Sequence, residues 1–130
     1  PVTEERLRAR ENFIHMDGKA VFRFAVTVMG KTVETSLARA GLTKDAIDWL
    51  VPHQANIRII EAAAKRLGLP LAQVIINIEN YGNMSAASIP VALSEAAHAH
   101  RFRKGDRIAL AGFGAGLTWA SCILRWAKED

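Results

Sequence analysis

The stretch WLVPHQANIRII, Trp49 to Ile60, changes character in its middle, and that change decides how the chain is read. An apolar run from Ile47 to Val51 has the length and composition of a short buried strand. It stops at Pro52, and His53, Gln54 and Asn56 follow at once. From Ala55 onward Ile59, Ala62, Ala63, Arg66 and Leu67 recur at helical spacing, and Gly68-Leu69-Pro70 ends the pattern. A strand therefore hands over to a helix across a polar junction. In open α/β sheets such junctions are the usual site positions.

The same alternation extends in both directions. Met16-Asp17-Gly18 is a turn signal, and Phe22, Ala25, Val26, Met29, Val33 and Leu37 step by three or four up to Gly41. Phe22, Phe24, Val26 and Val28 alternate as in a strand, but the longer spacing favours a helix. Thr43 is placed to cap a short helix through Ala46. Val74-Ile75-Ile76 is a second strand candidate, Tyr81-Gly82-Asn83 a turn, and Ser85 the expected cap of a helix running to about His100. After the turn Lys104-Gly105-Asp106, strands are expected over Arg107 to Ala111 and Leu117 to Arg125. The order predicts an α/β fold with layered helices and a mixed sheet that ends in an antiparallel strand pair. All 130 residues read as one domain, without linker composition, low complexity or internal repeat.

Composition sets the outer limits. Half of the residues are hydrophobic and 23% are charged, an ordinary globular balance. The single cysteine, Cys122, rules out an internal disulfide or a multi-cysteine metal site and makes a reducing, cytoplasmic setting the default. The opening PVTEERLRAREN is too charged for a signal peptide or membrane anchor. Ile108 to Leu124 carries no charge, but it falls short of the roughly 20 residues of a spanning helix and has glycines at its centre. Two buried strands joined at GFGAG fit it better. The net charge is +4, yet the basic residues are scattered without a run and few aromatics lie near them, which argues against nucleic acid.

Two junctions could carry chemistry: Val51-Pro52-His53-Gln54-Ala55-Asn56 and Asn80-Tyr81-Gly82-Asn83-Met84-Ser85. A histidine and an asparagine converging at one sheet edge offer two N–H donors to one point. That suits a developing oxyanion or enolate, at roughly 10²–10³ in rate per preorganised donor. Each residue also has a plainer reading. His53 could bond backbone at a strand end, and Asn83 could be a turn residue that tolerates a left-handed backbone. The glycines of GFGAG admit a plain hairpin, or a backbone N–H brought close to a substrate oxygen. His98 and His100, two apart on a helix, point away from each other and make a poor metal pair. His15 stands alone.

VPHQANIRII, NYGNMSAASIPVAL and GDRIALAGFGAGLTWASCILRW together resemble β-ketoacyl-acyl-carrier-protein synthase III, with HMDGKAVFRFAV near the start extending the likeness over nearly the whole chain. The chain corresponds to roughly the last two-fifths of that family's proteins. The resemblance implies the C-terminal half of a thiolase-like fold and a Cys-His-Asn mechanism. His53 matches the family histidine and Asn83 the family asparagine, both donating to the malonyl thioester carbonyl as carbon dioxide leaves. Ala115 matches the position whose backbone N–H joins a second oxyanion hole, although many relatives have glycine there. Gly18, Phe22, Ala25 and Asn56 match positions along the pantetheine channel. Gln54, Arg58, Lys65 and Arg66 match the surface that receives the acyl carrier protein.

The nucleophilic cysteine of the family belongs to the first half and is absent from this chain. Cys122 falls inside the last expected strand and reads as a small buried hydrophobe. The expected activity is decarboxylative Claisen condensation of an acyl-CoA primer with malonyl carrier protein, without a cofactor, in partnership with the N-terminal half and as a homodimer when complete. A related enzyme of polyketide or quinolone biosynthesis, or a non-catalytic half-domain serving assembly, are the alternatives.

Overall fold

The computed structural model describes residues 2–128. A short helix, α1 (Glu4–Arg8), precedes the long α2 (Gly18–Arg39). Asp17 starts α2 by accepting from the N–H groups of Lys19 and Ala20 at 3.1 and 3.0 Å, so the turn seen in the sequence is also the helix cap. At the other end Gly41 adopts φ 67°, and Leu42 N–H returns to Leu37 O at 2.9 Å. Ala25, Met29, Val33 and Leu37 are buried, as their spacing predicts.

Strand β1 (Trp49–Pro52) is followed by α3 (Ile57–Leu67), the single-turn α4 (Ile78–Tyr81) and α5 (Ser88–His98). The hairpin β2 (Arg107–Gly114) and β3 (Thr118–Arg125) closes the chain. The sheet runs β1-β2-β3, with β1 parallel to β2 and β3 antiparallel to it, the mixed sheet that the element order implies. Alternation along the strands sorts its two faces. Leu50, Ala109 and Ala111 meet α2 and α3 on one side. Val51 and Ile108 meet Ala92 and Ala96 of α5, together with Phe102, on the other. Each fully buried aliphatic side chain contributes about 1.5–3 kcal/mol, so both layers hold the sheet. Among the described residues no helix is long and apolar enough to cross a membrane, and the uncharged stretch near the C-terminus is the β2–β3 hairpin.

Four expectations change. Thr43 stands at the N-cap position of a 3-10 turn over Lys44–Ala46, but its side chain makes no capping hydrogen bond. Val74-Ile75-Ile76 makes one parallel bridge, Leu50 with Val74, rather than a strand, because Ile75 N–H to Leu50 O is followed at once by the turn into α4. Ser85 does not cap α5. It takes φ 52° at the start of a 3-10 turn over Ser85–Ala87, and α5 begins at Ser88 without a side-chain cap. Cys122 is exposed, not buried. It pairs with Leu110 and so shares the face that α5 covers, but α5 packs over β1, and β3 lies beyond it at the sheet edge.

Candidate functional site

Strand β1 ends where its pairing with β2 ends. Pro52 lies opposite Ala111, and His53 N–H then donates to Ala111 O at 2.8 Å. This last ladder bond fixes the backbone of His53 beside Gly112 and Phe113. The imidazole meets the Phe113 ring edge-on, with centroids 5.4 Å apart. A Cβ at Gly112 would sit 3.4 Å from Ile89 Cδ1 and 3.9 Å from His53 Cβ, ordinary contact distances that place this position beside both side chains. His53 retains only 9% of its surface, and burial pulls its pKa below the usual 6.5, so the ring is neutral near pH 7.

The Nδ1 of His53 lies 2.5 Å from Ser88 Oγ, and Gln54 N–H donates to the same oxygen at 3.3 Å. Ser88 is fully buried at the start of α5, five residues past Asn83. One hydroxyl therefore ties the end of β1 to the start of α5, the helix into which the Asn83 junction leads. Gln54 makes a second tie. Its amide nitrogen donates to Pro52 O and Ile75 O at 2.8 and 3.1 Å, and its Oε1 accepts from Asn77 N–H at 3.0 Å. Asn77 in turn donates to Glu95 at 2.6 Å, and Tyr81 donates to the other oxygen of that carboxylate. These donors hold the Glu95 carboxyl below the usual range, the Tyr81 hydroxyl first and Asn77 second. Gln54 is withdrawn from the docking surface: it is completely buried and satisfies backbone groups.

Asn83 is exposed, and its Oδ1 accepts from Ser85 N–H at 2.9 Å. That bond is the turn role open to it from sequence. It also leaves both amide hydrogens without a partner among the described residues. Ala115 is exposed in the turn between β2 and β3, two residues beyond Phe113 and hence at the sheet end that carries His53. Cys122 lies on β3, one strand removed from β1, and offers His53 no nucleophile.

The channel and docking candidates divide. Arg58 is exposed and stacks over the half-buried Phe22, 5.5 Å from its centroid, while Asn56 caps α3 by accepting from Arg58 N–H at 2.9 Å. Gly18, exposed at the first position of α2, lies one turn before Phe22. Ala25 is fully buried among the core side chains, so it packs α2 and lines no open channel here. Lys65 is exposed in the last turn of α3, about 10 Å along the helix from Arg58. Arg66 beside it is committed: its Nε and Nη2 reach the Glu34 carboxylate at 3.2 and 2.8 Å. Its methylene stem crosses Gly30 so closely that a Cβ there would lie 2.4 Å from Arg66 Cδ. Arg66 and Lys44 hold the Glu34 carboxyl down to about 2. This cluster joins α2 to α3, a structural duty the spacing of basic residues did not reveal.

Ser88 and Phe113 are the site residues that sequence reading passed over. The available signal was a lone hydroxyl inside the apolar run ASIPVAL. Of the histidines away from the site, Nδ1 of His98 reaches Ser94 O at 2.8 Å and His15 lies 3.3 Å from Arg10 O. No group of three or more metal-ligating side chains occurs among the described residues.

This architecture is that of the C-terminal half of a thiolase-like condensing enzyme. It superimposes on 3-oxoacyl-(acyl carrier protein) synthase III from Pseudomonas aeruginosa with a TM-score of 0.88 and 46% identity, covering 100% of this chain and 39% of that one. The synthase III from Thermus thermophilus matches with a TM-score of 0.84 and 53% identity over 87% of this chain and 35% of its own. The β-ketoacyl-[acyl-carrier-protein] synthase III of Natranaerobius thermophilus is 50% identical over 126 residues, 97% of this chain and 38% of that protein. The family model for the 3-oxoacyl-[acyl-carrier-protein] synthase III C terminal matches residues 37–126, and the chain belongs to that family. It spans about two-fifths of the length of these relatives.

Proposed function

We propose that this chain is the enolate-stabilising C-terminal domain of a β-ketoacyl-acyl-carrier-protein synthase III that condenses an acyl-CoA primer with malonyl carrier protein. The observation that carries the reading is His53: neutral, buried, anchored at Nδ1 by Ser88, and so left with Nε2 for a ligand. A neutral donor suits an enolate oxygen, and Asn83 supplies a second through its uncommitted amide hydrogens. As the carboxylate carbon departs as carbon dioxide, the C–C bonding pair moves into the thioester enolate held by these two groups. The enolate carbon then attacks an acyl thioester on a cysteine contributed by the first half of the enzyme, and the thiolate leaves. The Ala115 N–H, at the same sheet end, serves the acyl carbonyl in that step.

Phe22, Asn56 and Gly18 border the path of the pantetheine arm, and Arg58 and Lys65 receive the acidic carrier protein. The thioesters are substrates, so the reaction needs no cofactor. The complete enzyme works as a homodimer in the cytoplasm. The test is His53→Ala in the complete protein, assayed in two half-reactions. Malonyl decarboxylation should fall about 10²–10³-fold while acyl transfer to the cysteine is largely spared. Equal loss of both would remove the enolate role.

A further inference from the structure

Ser88 makes a pattern of contacts that a space-filling serine would not. Its side chain is fully buried, and Oγ has two neighbours: Gln54 N–H at 3.3 Å and His53 Nδ1 at 2.5 Å. The backbone N–H can only donate, so Oγ accepts there. If Nδ1 carried a hydrogen, both contacts would be donations into Oγ, and the hydroxyl hydrogen would be buried without an acceptor among the described residues. Such an orphan is disfavoured. If Nδ1 is bare, every group is satisfied: Gln54 N–H donates to Oγ, and the Oγ hydrogen goes to Nδ1.

We propose that Ser88 is a positioning residue that selects the Nε2–H tautomer of His53, so that the ring presents a donor, not an acceptor, to its ligand. The selection begins in the backbone. Gln54 N–H faces Ser88, and the same residue is held by its side-chain bonds to Pro52 O, Ile75 O and Asn77 N–H. Ile89, the next residue of α5, touches the position of Gly112 and helps hold the start of that helix against the strand. The imidazole is thereby fixed in orientation by Phe113 and in tautomer by Ser88. A ring of the other tautomer would turn a lone pair towards an enolate oxygen and repel it.

The inference rests on the donor role of His53 given above, and the two are separately testable. In the complete protein with ¹⁵N-labelled histidine, imidazole nitrogen shifts near pH 7.5 should show His53 with a pyrrole-like Nε2 and a pyridine-like Nδ1. A protonated Nδ1 in the wild type overturns the proposal whether or not His53 is needed for turnover. Loss of Ser88 should lower the maximal rate of malonyl decarboxylation at least about tenfold, as losses of groups that orient a functional histidine do, with KM little changed. Ser88→Ala should show that loss, and Ser88→Thr, which keeps the hydroxyl, should recover most of the rate. Unchanged decarboxylation in Ser88→Ala, or equal damage in both variants with the wild-type tautomer retained, overturns it. Should Ser88→Ala fail to fold, the wild-type spectrum and the threonine variant still decide. A wild-type rate in His53→Ala would instead remove the donor reading and leave the tautomer measurement standing.

Discussion

His53 keeps 9% of its surface and is held at both its backbone N–H and Nδ1, whereas Asn83 is exposed and its side chain makes one bond, to the N–H two residues on. The two junctions have equivalent positions, each at the entrance to a helix, yet one is sealed and the other open. The sealed one follows a strand paired up to its last residue, so its loop inherits the rigidity of the sheet. The open one follows a single turn of helix and contains Ser85 at φ 52°, a conformation costing a non-glycine residue about 1 kcal/mol or more. This chain preorganises its histidine through its own core and holds its asparagine by a local turn.

That contrast can be broken by experiment. Asn83→Ala should lower malonyl decarboxylation about 10²-fold while changing unfolding free energy by no more than about 1 kcal/mol. Paired rate and urea-denaturation measurements check it, and a large stability loss would mean that the open loop is as structural as the sealed one. The converse holds for Gln54→Ala, which strips partners from buried backbone groups of Pro52, Ile75 and Asn77. It should cost about 2–4 kcal/mol of stability in the same denaturation experiment. A neutral outcome would remove Gln54 as the seal.

Smaller effects sharpen the division between the proposed docking cations and the structural cation on α3. Arg58→Glu should raise KM for malonyl carrier protein roughly tenfold, about 1.4 kcal/mol, and spare the CoA substrate. Steady-state kinetics with each substrate varied would expose a non-selective change, which counts against docking. Glu34→Gln removes the partner of Arg66 and Lys44 and should cost about 1 kcal/mol or less, since the pair lies near solvent. The folded carboxyl titrates at about 2 against an ordinary 4.5, so its contribution is complete above pH 4.5 and fades as pH falls towards 2. The difference between wild type and variant should disappear over that interval in acid denaturation.

Much of the fold is legible because it depends on local signals. The α2 stripe, the Gly41 and Gly68 stops and the strand before Pro52 are visible in residue order, and each appears at its expected place. The strand expected at Val74 failed, since an apolar triplet does not state whether a partner lies alongside it for one residue or four. Cys122 failed for a related reason. Alternation assigns it a face, but only the lateral position of α5 decides whether that face is covered.

The sequence by itself determined the class of fold and the two polar junctions, because periodicity and helix stops act over a few residues. Tertiary structure alone decided what each polar residue does. Gln54 and Arg58 lie four positions apart on either side of a helix cap, and nothing local tells that one is sealed under Ile75 and Asn77 while the other stands in solvent over Phe22. Ser88 is one serine in an apolar run until α5 is laid against the end of β1. Burial and hydrogen-bond partnership are set by residues distant in the chain, and they give the histidine of VPHQAN its neutral charge and fixed orientation.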